Sequence, residues 1–110
     1  MDKIIEKNLL YDFYGELLTE HQKKIYEDAV YGDYSLSELA EEYGISRQGV
    51  HDLLKRCDKI LEEYESKLHL ISRFEVIKND AARIRNIADD MDIAEAKDIS
   101  RIAGHIVDSL

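Results

Sequence analysis

Apolar residues recur every three or four positions along most of the chain, the spacing that lays a stripe down one face of an α-helix. Ile5, Leu9, Leu10, Phe13, Leu17 and Leu18 predict a first helix over about 3–18, with Gly15 weakening its last turn. Thr19-Glu20-His21-Gln22 has the makings of a capping box, in which the threonine hydroxyl accepts from the Gln22 amide while the Gln22 side chain reaches back. It opens a second helix, about 20–31, that turns Ile25, Tyr26 and Ala29 inward and stops at Gly32-Asp33. Ser35-Leu36-Ser37-Glu38 repeats the box and starts a short third helix to about Tyr43, striped by Leu36, Leu39 and Ala40. Gly44 stands where a left-handed C-cap is expected, Ile45 follows as a buried plug, and Ser46 is a good N-cap for the next helix.

That fourth stripe is long. Val50, Leu53, Leu54, Cys57, Ile60, Leu61, Tyr64 and Leu68 keep the spacing, and Ile71, Phe74, Ile77 and Ala81 continue it, with a candidate break at the cap-like Ser72-Arg73-Phe74-Glu75. Ile84, Ile87, Ala88 and Met91 carry it on. Asp92-Ile93-Ala94-Glu95 reads as a further capping box before a last helix, about 93–109, expected to bury Ile99, Ile102, Ala103, Ile106 and Val107. Lys67 interrupts the seven-residue spacing from Ile60 to Phe74, which argues for an antiparallel bundle, within one chain or shared by two, over a long coiled coil. The expected fold is all-α: residues 1–60 form an N-terminal helix plus a three-helix core, and 61–110 a helical extension packed on that core or on a second chain.

Composition agrees. The 110 residues include no proline and five glycines, so long helices are permitted almost anywhere. Cys57 is the one cysteine; it lies on an apolar stripe, where a small buried hydrophobe is expected, and it points to a reducing compartment. No apolar run approaches the ~20 residues of a membrane span, and the first residues lack a signal peptide's apolar stretch. A soluble, cytoplasmic protein without membrane association is expected.

Charge separates one segment from the rest. The net charge is −9, unfavourable for holding phosphates. Yet residues 46–60 carry Arg47, Lys55, Arg56 and Lys59 against Asp52 and Asp58, and are the sole positive segment in a four-way division of the chain. The same place has the grammar of a helix-turn-helix. Ala40 is small where helices cross, Gly44 makes the turn, Ile45 closes it, and Val50, Leu53 and Leu54 anchor the second helix. If that face is buried, the opposite one carries Arg47, Gln48, His51, Asp52 and Lys55. Arginine pairs with guanine and glutamine with adenine, so Arg47, Gln48 and His51 are the candidate base readers and Lys55 the candidate backbone contact. Ser46 and the free N–H groups of the helix start suit a phosphate. Gly49 offers close approach either to a groove or to a neighbouring helix.

Blander readings stand beside these. The three helices can be a scaffold that binds no nucleic acid, and the tyrosines Tyr11, Tyr14, Tyr26, Tyr31 and Tyr34 are expected to pack between helices instead of stacking on bases. No phosphate loop, nucleophile motif or metal-ligand spacing is present, so no catalytic residue, metal or cofactor is expected, and the chain is not read as an enzyme.

Residues 19–60, from Thr-Glu-His-Gln through Ser-Leu-Ser-Glu-Leu-Ala-Glu-Glu-Tyr-Gly-Ile-Ser-Arg-Gln-Gly-Val, resemble region 4 of bacterial sigma factors. With the earlier Leu-Leu-Tyr-Asp-Phe-Tyr-Gly-Glu-Leu-Leu-Thr-Glu and the later Lys-Ile-Leu-Glu-Glu-Tyr-Glu-Ser-Lys-Leu, about residues 8–70 resemble the YlxM family of helix-turn-helix proteins. The resemblance implies an all-helical regulatory protein linked to the signal recognition particle pathway, and supplies no catalytic residue. Glu38, Glu41 and Glu42 depart from the more basic sigma pattern. Two functions are therefore expected: a regulator that binds DNA or RNA through residues 46–55, or an acidic helical module that binds a basic partner without nucleic-acid contact. Signal recognition particle components and a second copy of the chain are the expected partners.

Overall fold

The structure is a computed structural model describing residues 3–110; Met1 and Asp2, with which the expected first domain begins, lie outside the described residues. The fold is all-α, with six α-helices and no strand among the described residues. They are α1 (Lys3–Tyr14), α2 (Glu20–Val30), α3 (Leu36–Tyr43), α4 (Arg47–Leu68), α5 (Leu70–Asp89) and α6 (Ala94–Ser109). The chain divides into two compact units, Met1–His69 and Leu70–Leu110.

In the first unit, local hydrogen bonding sets the helix ends. Both expected capping boxes form: Thr19 Oγ1 accepts from the Gln22 N–H while Gln22 Oε1 accepts from the Thr19 N–H, and Ser35 and Glu38 do the same. The first helix stops sooner than its stripe suggests, at Tyr14, and Gly15–Leu17 continue as one 3-10 turn. α2 is halted with Asp33, not Gly32, in the left-handed region, at φ 58°. Gly44 adopts φ 67° and ψ 32°, and the Ile45 N–H donates to the Ala40 carbonyl at 3.1 Å, a Schellman stop that joins Ile45 to Ala40. A Cβ on Gly44 would meet nothing within 4 Å, so its backbone angle alone demands glycine. α4 ends with His69 in the left-handed region, three residues before Ser72, which lies inside α5.

Three residues make the centre of this unit. Ile25 of α2, Leu39 of α3 and Val50 of α4 have no exposed surface, and Leu36, Ala40, Tyr43, Ile45, Leu53 and Leu54 pack around them. Around the core, tyrosines tie helix to helix by donating to carboxylates. Tyr43 donates to Asp28 at 2.5 Å, Tyr26 to Asp58 at 2.9 Å, Tyr14 to Glu65 at 2.5 Å, and Tyr11 to Glu27. Part of the chain's acidity is thus structural. Tyr11 stacks on Tyr26 and Tyr14 on Tyr64, so these rings lie between helices as expected, whereas Tyr31 and Tyr34, also expected between helices, stand exposed after the end of α2. Cys57 is wholly buried, and burial, helped by Asp58, pushes its thiol up to about 11.

The second unit is a hairpin of α5 and α6, and it differs from the stripe reading. Ala81, Ala88, Ala96 and Ala103 are the buried residues, whereas Ile84, Ile87, Met91, Ile99, Ile102 and Ile106, expected inward, are exposed. The helices approach through their smallest side chains, and that close approach turns the larger ones out. α6 also starts one residue later than expected: Ile93 stands at the N-cap without a side-chain hydrogen bond, so the Asp92–Glu95 box does not form.

The tyrosines carry a pH signature. The hydrogen bond to Asp28, then burial, raises the Tyr43 hydroxyl to about 12. An unfolded tyrosine loses its proton near ~10. Below that pH both states are protonated and the contribution is whole; between the two values only the unfolded chain ionises, so stability falls as pH rises. Cys57 acts in the same sense in an earlier window, from about 9 for a free thiol upward. We expect the melting temperature to drop from about pH 9–10 towards 12, with a shallower slope above pH 10 in Tyr43→Phe. Thermal melts followed by circular dichroism across that range test it, and a level melting temperature would contradict it.

Candidate nucleic-acid interface

α3, the Gly44 turn and α4 have the helix-turn-helix order, and the core just described sets which face of α4 is free. Val50, Cys57 and Leu61 point inward along α4. The other side presents Arg47, Gln48, His51, Asp52, Lys55 and Lys59, all exposed. Ser46 sits at the N-cap with φ −74° and ψ 159°, and its Oγ accepts from the Gly49 N–H at 2.9 Å. Its oxygen is thus committed to the cap, leaving the hydroxyl proton and the first N–H groups of α4 facing outward. Arg47, Gln48 and His51, with Leu36 at the start of α3, line one shallow depression. The structure brings these three predicted readers together at one end of α4; Lys55 lies one turn further along.

Asp52 is the residue that the sequence reading left without a role. Gln48 Nε2 donates to Asp52 Oδ1 at 2.9 Å, and His51 Nδ1 lies 3.6 Å from the same oxygen. One carboxylate therefore holds one predicted base reader, Gln48, and puts a negative charge beside another, His51. The i,i+4 spacing of Gln48 and Asp52 was the available signal, since such pairs face each other on a helix. Lys59 was also passed over, although it follows Lys55 by one turn. Arg56 lies on the other flank, where it lines a second depression with Gly49, Asp52, the N-cap Thr19 and, from α2, His21. Among the described residues neither Arg47 nor Lys55 has an ion-pair partner.

Gly49 is not needed for close packing against another helix. A Cβ there would meet Ser46 Oγ at 3.1 Å and Ile45 Cβ at 3.9 Å, both within its own turn. It leaves the start of α4 narrow. The acids expected to oppose phosphate are beside it: Glu38 is engaged in the Ser35 box, while Glu41 and Glu42 are exposed on α3. Among the described residues no group of three His, Cys, Asp or Glu could hold a metal ion, and no helix is long and apolar enough to cross a membrane.

A protein family described as "Putative helix-turn-helix protein, YlxM / p13 like" matches residues 1–99. The chain is 49% identical over 75 residues to a UPF0122 protein of Halalkalibacterium halodurans, covering 68% of this chain and 69% of that one. It is 48% identical over 84 residues to a UPF0122 protein of a Thermoanaerobacter species, with 76% and 72% covered. Against a UPF0122 protein of Acetivibrio thermocellus it is 42% identical over 111 residues, with 96% and 95% covered.

Proposed function

The chain belongs to the YlxM/p13-like helix-turn-helix family, and on that premise we propose that it is a regulatory protein that binds nucleic acid through the start of α4 and carries out no catalysis. The observation that carries this reading is the positive face of α4, held outward by a closed three-helix core. In it Arg47, Gln48 and His51 read bases, Lys55 and Lys59 hold phosphates, and the Ser46 turn receives a further phosphate. Its setting is the cytoplasm, its partners DNA or RNA, components of the signal recognition particle, and a second copy of the chain.

One observation favours a second reading. Glu41 and Glu42 stand exposed on the helix that precedes the reader, in a chain of net charge −9. That acidity suits a basic protein partner, bound without nucleic acid.

The test is an anisotropy titration of the protein against random DNA duplex and the signal recognition particle RNA, each at two salt concentrations. Three neutralised phosphates weaken duplex binding by roughly 40-fold between about 50 and 200 mM salt. Saturable binding with that dependence supports the reader; no binding to either polymer at low salt moves the function to the acidic surface. The Asp52 carboxylate gives a sharper expectation. Asp52→Asn removes one charge close to the phosphates while keeping an acceptor for Gln48, which we expect to tighten binding about fivefold, the worth of one unit-charge repulsion in water. Unchanged affinity would place the nucleic acid away from this face.

A further inference from the structure

The hairpin of the second unit carries an apolar face that its own seam leaves bare. Three residues after a seam alanine stands a large apolar side chain at Ile84 (after Ala81), Ile99 (after Ala96) and Ile106 (after Ala103), with Met91 just past the end of α5. A three-residue step stops about 60° short of a full helical turn, so each stripe is rotated from the seam in the same sense. α5 and α6 are antiparallel, joined by residues 90–93, and equal rotations on two facing antiparallel helices turn both stripes to the same side of the hairpin. Ile77 and Ile102 extend the face, and these six residues keep 38 to 52% of their surface exposed.

We propose that this face docks a second copy of the chain, two hairpins closing into an antiparallel four-helix bundle. This deepens the reading above, resting on the second copy named there as a partner and standing apart from nucleic-acid binding. The area fits that occupant. With Ile87 and Leu110 beside the six, each copy offers roughly 700 Å² of apolar surface, close to the ~800 Å² per partner of a stable interface.

Sedimentation velocity on the full chain tests the proposal. The wild type is expected at about twice 12.8 kDa at roughly 100 µM, and Ile84→Lys/Ile102→Lys at the single mass with its helix content kept. Should the double variant lose helix, Ile87→Lys alone, at a position 55% exposed, still splits the dimer without burdening the fold. A wild-type monomer at that concentration overturns the proposal, whether the face is bare or covered by the rest of the chain. A dimer that survives both variants, or a mass showing another partner at this face, also overturns it. Nucleic-acid binding by a monomeric wild type would leave the reader in place and remove this inference; a dimer without binding would do the reverse.

Discussion

Leu39→Ala is expected to cost the first unit about 3–4 kcal/mol. Leu39 has no exposed surface and sits between Ile25 and Val50, with partly buried apolar side chains from all three helices around it. Truncating a buried leucine removes the transfer free energy of its methyl groups and leaves a cavity, together ~2–5 kcal/mol. The low end of that range is excluded because the site cannot collapse easily: Schellman bonds hold one end of α3 and a capping box the other. A unit of this size is stable by ~3–10 kcal/mol, so the loss leaves it marginal. Urea unfolding followed by tyrosine fluorescence measures it. A loss under about 1 kcal/mol would mean that the three helices do not close on one core. The same variant should weaken nucleic-acid binding, because α3 braces the start of α4.

The second large effect is functional. Arg47→Ala with Lys55→Ala is expected to weaken binding to duplex DNA or RNA by at least about 30-fold at low salt and to shrink the salt slope by about 1.8 for duplex. Both side chains are exposed and without ion-pair partners among the described residues, so removing them disturbs no internal contact. Folding stability should stay within about 0.5 kcal/mol of the wild type, as for surface substitutions generally. That separation makes the variant diagnostic. Lost binding with an intact melt locates the interface on α4, and lost binding with a lowered melt does not. Retained binding with an unchanged slope would show that phosphates are held elsewhere. A protein partner held through residues 61–110 should be unaffected, so loss of both activities would mean that reader and partner surface are one.

Much of the first unit was legible from residues alone. The boxes at Thr19 and Ser35, the glycine stop at 44 and the Ser46 cap are settled by groups within a few residues of one another, and the chain shows them directly. The 3.6-residue period likewise assigned Ile25, Leu39 and Val50 to the core, and so which face of α4 is free. The candidate reading residues follow from that assignment. The carboxylate that holds Gln48 was visible only as an i,i+4 spacing, one of many on acidic helices.

The features that local pattern leaves open share one physical cause. Periodicity says that a helix has an apolar side but cannot choose between two apolar stripes some 60° apart. In α5 and α6 that choice fell to the alanines, because helices gain most contact where their backbones approach most closely, and the isoleucines were turned out as a consequence. The tyrosine–carboxylate bonds, such as Tyr14 to Glu65 across 51 positions, depend on helices being brought together and leave no local trace. The end of α4 at His69 is of the same kind, since neither glycine nor proline marks it. The helices of the first unit, their caps and the free face of α4 follow from residues close together in the chain; the packing of helix on helix set which apolar side chains are buried and which remain for another molecule to cover.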